Sequence, residues 1–268
     1  MMHFLGASLP AGRGRGQDRW QASGDAAIVL DGASSFTPTT ADASEYVDHL
    51  LQDIAVRISS QADLSAVLSE AIQATSERLD LQPGNGPSST VLLVRERDAL
   101  LEFLALGDST AIIKTGDGVV HRVSDDRLSR TAVHLRHQYR TRLEAGSGYD
   151  DSHRSLLGEL QHHERQLRNT PEGYWIAEAQ PEAAHEAIRR TFEVGDVAWA
   201  VLATDGAQRP IDHLGLSWED VALMGSSELS SLLQRLHDWE QFEDPSAKLL
   251  PRAKQHDDKV IVTWDAER

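Results

Sequence analysis

The sequence predicts an α+β fold in which strands and helices form a layered sandwich. Short apolar runs typical of buried strands alternate along the chain with amphipathic helices, and turn dipeptides containing glycine and aspartate separate several strands. Hydrophobic residues make up 40% and charged residues 25% of the 268 positions, as in ordinary folded proteins. No linker is long enough to separate two domains, so residues 1–268 are expected to form a single domain.

The first third of the chain predicts one buried strand followed by a helix pair. The apolar run at 25–30 ends at Asp31-Gly32, a combination typical of a strand closed by a turn. Apolar residues then recur at helical spacing over residues 46–58 and again over 64–72. Asp63 is a candidate N-cap of the second helix.

Closely spaced strands are predicted in the middle of the chain. The turns Gly107-Asp108 and Gly116-Asp117-Gly118 indicate antiparallel neighbours joined by tight connections. The strand candidates are Thr90–Val94, Leu100–Leu106, Ala111–Lys114 and Val119–Val123.

The last part of the chain begins with a polar, helical region rich in Arg and His, from about 125 to 170. Strands and helices alternate after it, and the most apolar strand ends in an Asp-Gly pair at Asp205. The predicted elements are short strands at Tyr174–Ala177, Val197–Thr204 and Val260–Trp264, with helices near Trp218–Leu223 and Ser227–Trp239.

Composition excludes several classes of function. The 26 Lys+Arg and 42 Asp+Glu give a net charge of −16, which argues against nucleic-acid and anionic-membrane partners. The absence of cysteine excludes disulfides, thiolate metal sites and a cysteine nucleophile. The longest apolar run, 197–203, is far shorter than the ~20 residues of a membrane-spanning helix, and no secretory signal is visible at the N-terminus. We therefore expect a soluble, cytoplasmic protein.

Aspartates recur at the predicted strand ends. Asp31, Asp108 and Asp205 each adjoin a glycine at the end of an apolar run, and Asp257-Asp258 opens the last strand. Ends of neighbouring strands can converge at one edge, where carboxylates suit Mg²⁺ or Mn²⁺. Each Asp-Gly pair taken alone is more simply a turn, and spacing does not decide between the two interpretations.

Six short motifs stand in order along almost the whole chain. They are Gly12–Trp20, Ile28–Ser35, Ser88-Ser89-Thr90 with Ala105–Ser109, Val123–Asp126, Leu202–Gly206 and Asp257–Val262. In order and local context they resemble the motifs of the metal-dependent protein phosphatase 2C family of serine/threonine phosphatases, in its bacterial type. The resemblance implies a four-layer α-β-β-α sandwich, with two antiparallel sheets flanked by helix pairs and a binuclear Mn²⁺ or Mg²⁺ site at one edge.

The resemblance also implies the metal ligands. Asp31 would bridge the two ions, with the carbonyl of Gly32 on one of them. Asp205 and Asp257 would hold the other ion, and Asp257 is preferred to Asp258 because it aligns with the aspartate of the family's closing motif.

Three further roles follow from the same resemblance. Asp18 or Gln17 would contact an ion through water, and Asp108 would help to hold a third, weaker ion. Arg13 would pair with the substrate phosphate, which suits its planar donor fork. The catalytic set is then Arg13 with the ligands Asp31 and Asp205.

The implied activity is hydrolysis of phosphoserine and phosphothreonine in proteins, as in cytoplasmic signalling. Two ions lower the pKa of a water and clamp the phosphoryl oxygens, so no protein nucleophile is needed and the absence of cysteine fits. The expected partner is a phosphorylated protein. The choice between Mn²⁺ and Mg²⁺, the substrate and the oligomeric state stay open.

Departures from the family pattern keep two alternatives open. Ser34-Ser35 replaces a glycine pair, Ala33 stands where some members carry a histidine, Gly16 replaces an asparagine, and Thr110 replaces an arginine. They favour a phosphatase-like regulatory or binding module with little turnover as the second hypothesis. Hydrolysis of a small phosphorylated metabolite is the third.

The region at about 125–170 corresponds to the family's variable flap. Its histidines allow a zinc alternative, although histidines on a polar helix are more often solvated. Its arginines form a basic island that suits a phosphorylated or acidic partner, although a solvated face laced with ion pairs is the simpler interpretation. These residues are His134, His137, His153, His162 and His163, and Arg136, Arg140, Arg142, Arg165 and Arg168.

Overall fold

The computed structural model describes residues 2–33, 41–59 and 61–266. Within them, two antiparallel five-stranded sheets form the centre of the molecule, with strand orders β1-β10-β9-β6-β7 (sheet I) and β2-β3-β4-β5-β8 (sheet II). The strands are β1 (Leu5–Leu9), β2 (Arg19–Ser23), β3 (Ala26–Ala33), β4 (Ser88–Arg97), β5 (Leu100–Leu106), β6 (Thr110–Thr115), β7 (Val120–Val123), β8 (Ile188–Glu193), β9 (Val197–Ala203) and β10 (Lys259–Asp265).

Helices cover the outer faces of both sheets. Two pack on sheet II and three on sheet I, so the predicted α+β sandwich is confirmed with an additional helix on one side. The flap helices pack on each other through a small cluster of their own. The helices are α1 (Ala43–Ala55) and α2 (Leu64–Arg78) on sheet II, α3 (Val133–Glu144) and α4 (Asp151–Leu167) in the flap, and α5 (Asp205–His213), α6 (Trp218–Leu223) and α7 (Ser226–Phe242) on sheet I.

Strand β3 is apolar from Ala26 to Leu30 because both of its faces are buried there. Ile28 and Leu30 pack towards α1 and α2, whereas Ala27 and Val29 pack between the two sheets. Successive side chains of a strand point to opposite faces, so a central strand of the sandwich has no solvent-facing position. This burial places Asp31, the first polar residue of β3, at the end of the core.

The predicted capping of α2 is confirmed. The Asp63 side chain accepts a hydrogen bond from the Ala66 N–H at 3.0 Å, which satisfies one of the unpaired donors of the first turn. No helix of the described ranges is long and apolar enough to cross a lipid bilayer.

The connection at Gly107-Asp108 differs from the prediction. It joins β5 of sheet II to β6 of sheet I, so these strands are not antiparallel neighbours. Gly107 has φ +86° and lies against Thr90, where an added Cβ would come within 2.9 Å of the threonine Cβ. Glycine therefore lets the chain pass from one sheet to the other at the edge of the sandwich. The Gly116–Gly118 turn does join an antiparallel pair, β6 and β7.

Other expectations were also wrong. Asp205-Gly206 opens α5 and is not a turn, because the chain continues directly from β9 into a helix. Tyr174–Ala177 is not a strand, and its ladder contacts are two isolated bridges, Ala177 with Ser89 and Tyr174 with Arg168. Strands β1, β2 and β8 were missed altogether. Ser34 and Ser35 lie outside the described residues.

Candidate active site

The end of sheet II holds two of the predicted ligands side by side. Asp31 lies near the end of β3, in register with Thr90 of β4. Asp18 immediately precedes β2, whose first residue, Arg19, pairs with Leu30. The β2–β3 pairing therefore places Asp18 across from Asp31.

The end of sheet I supplies the next two. Strands β9 and β10 are antiparallel, so Asp205 after β9 and Asp257 before β10 lie at the same end of the sheet. Gly206 lies directly against the segment at 257–258. A Cβ there would collide with the Asp258 carbonyl oxygen and come within 3.2 Å of the Asp257 Cβ. Glycine is thus required for the close approach of the two aspartate-bearing segments.

Thr204 connects the two sheets at the site. Its buried hydroxyl oxygen accepts a hydrogen bond from the Val260 N–H at 3.0 Å, and the hydroxyl donates to Asp18. Loss of contact with water raises the pKa of Asp18 well above its usual range; Thr204 opposes this, and Asp257, Asp258 and Asp205 add to it. The Asp18 Oδ2 atom is buried and has no hydrogen-bond partner in the part of the chain that the structure describes.

The pKa values of the other aspartates at the site are raised as well. Burial, followed by repulsion from Asp18 and Asp205, raises the pKa of Asp31 well above its usual range. Burial and the charge of Asp205 raise the pKa of Asp108 to about 7. Burial also raises the pKa of Asp257, against the lowering effect of the nearby Lys254 ammonium. Each carboxylate is therefore held among like charges with little water, an arrangement that positive charge would stabilise.

The donor set fits hard divalent cations. It offers only oxygen ligands, it is short of positive charge, and one of its oxygens is an unpartnered buried atom. Mn²⁺ and Mg²⁺ prefer such carboxylate oxygens. Among the described aspartates, however, no three carboxylates bring oxygens within 4.8 Å of one another. The cluster therefore offers the ligand type that Mn²⁺ and Mg²⁺ prefer, with its carboxylates held apart from one another.

Asp257 and Asp258 have different surroundings. The Asp257 Oδ1 accepts a hydrogen bond from Lys254 Nζ at 3.0 Å and faces the same cavity as Asp205. The Asp258 carboxylate instead accepts hydrogen bonds from the Ala11 N–H at 2.7 Å and from the Gln17 N–H. Asp258 is thus committed to the backbone of the loop at 11–17, which favours Asp257 as the ligand.

The remaining predicted residues lie in different places. Gly32 packs on Gln17, where an added Cβ would meet the Gln17 carbonyl oxygen at 2.9 Å, so the approach of these segments requires glycine. Asp108 lines the cavity beside Asp205. Arg13 is exposed on its glycine-flanked loop, makes no hydrogen bond or ion pair to any residue that the structure describes, and does not line the cavity.

The cavity is about 340 Å³ in volume and lies between the aspartates and the flap. Its sandwich side includes Asp108, Asp205 and Asp257, and its flap side includes residues of α3 and α4. Sequence reasoning missed several cavity residues, of which Arg209 and Lys254 are the most relevant. Their spacing was the available signal, because Arg209 follows Asp205 by one helical turn and Lys254 precedes Asp257 by three residues.

A second group of potential metal ligands was also missed. Ligand atoms of His237, Glu240 and His256 lie within 4.8 Å of one another. However, Lys259 Nζ lies 2.9 Å from the Glu240 carboxylate, and the two imidazole rings stack with centroids 4.0 Å apart and planes at 23°. An ammonium already neutralises the carboxylate, and near-parallel stacked rings do not converge on an ion in both planes, so we assign this group a structural role. The flap histidines form no such group within the described ranges.

A comparison with family models identifies the chain. Residues 12–260 match the model described as "Protein phosphatase 2C", and the chain belongs to this family. No curated protein matched the sequence. The family predicted from the sequence motifs is therefore confirmed.

Solved structures of low sequence identity share the fold. The serine/threonine phosphatase Stp1 from Staphylococcus aureus is 10% identical, with a TM-score of 0.59 and 100% and 96% of the two chains covered. PppA, a regulatory component of a secretion system in Pseudomonas aeruginosa, is 17% identical, with a TM-score of 0.58 and coverage of 98% and 96%. The catalytic domain of the phosphatase PstP, solved with two manganese ions, is 16% identical, with a TM-score of 0.52 and coverage of 98% and 97%.

Proposed function

We propose that this protein is a metal-dependent phosphomonoester hydrolase that dephosphorylates phosphoserine and phosphothreonine in proteins. The observation that carries the proposal is the convergence of Asp18 and Asp31 from one sheet with Asp205 and Asp257 from the other, close enough for their carboxylates to repel one another. Membership of the protein phosphatase 2C family supports the same activity. Action on phosphoproteins in cytoplasmic signalling is part of this proposal.

Asp31, Asp205 and Asp257 would hold two Mn²⁺ or Mg²⁺ ions, with the Gly32 carbonyl and Asp18 as supporting groups. When bound, such ions supply an activated water and neutralise the charge of the phosphoryl group. The residues of the chain fix the separation of the carboxylates. Gly206 allows the segments that carry Asp205 and Asp257 to approach each other, and Thr204 links them to Asp18 of the other sheet. Arg209 and Lys254 face the cavity and would orient an anionic substrate.

The test is hydrolysis of p-nitrophenyl phosphate by metal-stripped protein titrated with Mn²⁺, beside an Asp205→Asn variant. Asp220→Asn, an exposed position on α6, is the matched control. We expect turnover that depends on Mn²⁺, is lost in Asp205→Asn and is retained in Asp220→Asn. Phosphopeptides and small phosphorylated metabolites, compared as substrates, then separate a protein phosphatase from a metabolite hydrolase.

Two results would contradict the proposal. Mn²⁺ binding without turnover of any substrate would replace it with the regulatory module. Absence of Mn²⁺ binding in calorimetry would mean that the aspartates serve only the fold.

A further inference from the structure

Four arginines line the cavity next to the aspartate cluster, and one of them, Arg252, is already paired with Asp244 over 2.6 Å. Of the other three, Arg136 and Arg140 come from α3 of the flap, and Arg209 comes from α5. We call these three residues the arginine wall. The only acidic residue that α3 and α4 contribute to the cavity lining, among those described, is Glu164.

The members of the arginine wall differ in how well they are paired. Arg136 forms an ion pair with Glu164 and donates to the Thr131 carbonyl oxygen at 3.2 Å. Arg209 donates to the Pro251 carbonyl oxygen at 2.8 Å, and its Nη1 lies 3.8 Å from Asp205 Oδ2, beyond hydrogen-bond distance.

Arg140 has no acidic partner among residues 2–33, 41–59 and 61–266. Its guanidinium lies 5.9 Å from the centroid of the Tyr139 ring, and the side chain is exposed. An arginine without a counter-charge at a cavity is unexpected in a chain with 42 acidic residues and a net charge of −16. The arginine wall therefore has donor capacity for an anion that the protein itself does not supply.

This anion is distinct from the phosphoryl group to be transferred. The transferred group has to lie against Asp31, Asp205 and Asp257, which belong to the sandwich, whereas Arg140 belongs to the flap. The cavity volume of about 340 Å³ is that of a small ligand pocket, so it accommodates more than a phosphoryl group. Leu157 and Leu160 of α4 also line it and can pack against the aliphatic part of a neighbouring side chain.

We propose that the arginine wall is a subsite for a second acidic group of the substrate, close in sequence to the phosphorylated residue. The inference rests on the proposed phosphatase function and names its substrate class: phosphopeptides with a carboxylate or a second phosphate beside the scissile one. Arg140 supplies the specificity, because its guanidinium is the unpaired member of the wall. Arg136 keeps α3 and α4 together through Glu164.

The test compares three phosphothreonine peptides that differ only in the flanking residues. These are glutamine on both sides, glutamate on both sides, or phosphoserine in place of one glutamine. Glutamine matches glutamate in size, so the ratio of kcat/KM for the two peptides reports the effect of charge. The phosphoserine peptide, followed by mass spectrometry, distinguishes a phosphate from a carboxylate as the preferred group.

The variants are Arg140→Gln, Arg140→Lys and the control Arg154→Gln. Arg154 lies on α4 and is exposed, but it does not line the cavity. In the wild type we expect the glutamate peptide to be preferred by roughly threefold to tenfold, as for a partly exposed charge-assisted contact. Arg140→Gln should remove this preference with little effect on the glutamine peptide, Arg140→Lys should keep part of it, and Arg154→Gln should leave it unchanged. A wild-type ratio near one for both acidic peptides, or a ratio that Arg140→Gln does not change, would overturn the inference.

A direct binding measurement separates this inference from the proposed function. If no peptide is hydrolysed with Mn²⁺ present, the phosphatase function fails, but fluorescence anisotropy of the labelled threonine peptides without the scissile phosphate still tests the subsite. Tighter binding of the glutamate peptide that is lost in Arg140→Gln and weakened by salt supports the subsite. Equal binding of the glutamate and glutamine peptides overturns it.

Discussion

Lys259 donates a hydrogen bond to Glu240 over 2.9 Å inside the protein, and neither side chain is more than 2% exposed. The same ammonium donates to the Asp257 carbonyl oxygen at 3.0 Å, and the Glu240 carboxylate lies 3.1 Å from His256 Nδ1. Helix α7 therefore holds the chain on both sides of a candidate metal ligand. The buried pair gives Asp257 a fixed position although its segment is a loop.

Removal of the Glu240 carboxylate should destabilise the protein and lower its affinity for metal. Glu240→Gln leaves the Lys259 ammonium buried without a counter-charge, at an expected cost of about 3–5 kcal/mol in the free energy of unfolding. Glu240→Gln combined with Lys259→Met should recover much of that loss, because no unpaired charge stays buried. Urea denaturation measures both values, and equal stability of the single and double variants would contradict this account.

The pH dependence of stability should reveal the aspartate cluster in metal-free protein. Burial and mutual repulsion raise the pKa of Asp18, Asp31 and Asp108 in the folded state, the last to about 7. Between about pH 4 and pH 7 the folded state then binds more protons than the unfolded state, so the free energy of unfolding falls as the pH rises. Thermal unfolding in EDTA at pH 5 and pH 7.5 checks the sign, and Asp108→Asn should flatten the slope. A slope that is unchanged in this variant would exclude Asp108 as a source.

Mn²⁺ should restore the stability that the metal-free protein loses at neutral pH. Because the ion binds the folded carboxylates, a concentration about 100 times the Kd adds about 2.7 kcal/mol of stability. For a chain of this size the increase in Tm is roughly 5–10 °C. Differential scanning fluorimetry with and without Mn²⁺ measures it, and a Tm that is the same in both conditions would contradict a metal site.

Gly206 provides a test of the contact between the two aspartate-bearing segments. In Gly206→Ala the new Cβ would collide with the Asp258 carbonyl oxygen, so the start of α5 and the segment at 257–258 must move apart. We expect Mn²⁺ affinity in calorimetry to fall by roughly 10- to 100-fold, as for other changes that misplace metal ligands. Gly158→Ala is the control, because an added Cβ in α4 meets no atom within 4 Å and alanine favours the helix by about 1 kcal/mol. Equal metal affinity of the two variants would show that the close approach at Gly206 is not needed.

The sequence was most informative where local pattern and tertiary burial agree. Strand β5 has the predicted bounds, Leu100–Leu106, and the cap at Asp63 is formed as expected. Both depend on residues next to each other in the chain. The strands that the sequence did not reveal, β1, β2 and β8, all lie at sheet edges. Edge strands are half exposed and mixed in polarity. They form because a strand distant in the sequence pairs with them through backbone hydrogen bonds.

The site residues also divide into those that local sequence indicates and those that depend on distant parts of the chain. Asp31 and Asp205 could be recognised because each comes at the end of a buried apolar run in the sequence. The importance of Thr204 depends on which elements fold beside it, and no local pattern in the sequence indicates this. The prediction of a β5–β6 hairpin was wrong for a related reason, since a glycine turn has the same sequence whether the chain stays in one sheet or passes to the other.

The pair Asp257 and Asp258 allows the ligand assignment to be tested with neighbouring, isosteric substitutions. Asp257→Asn removes an anionic ligand from the cavity, so we expect at least a roughly 100-fold loss of Mn²⁺ affinity and one fewer ion in a calorimetric titration. Asp258→Asn keeps one oxygen to accept from the Ala11 or Gln17 N–H, so the loop at 11–17 is weakened while the number of bound ions is unchanged. Loss of an ion in Asp258→Asn, with the full number retained in Asp257→Asn, would transfer the ligand role to Asp258. Because both variants remove one negative charge from adjacent positions, a difference in the number of bound ions reports coordination and not the general electrostatic field.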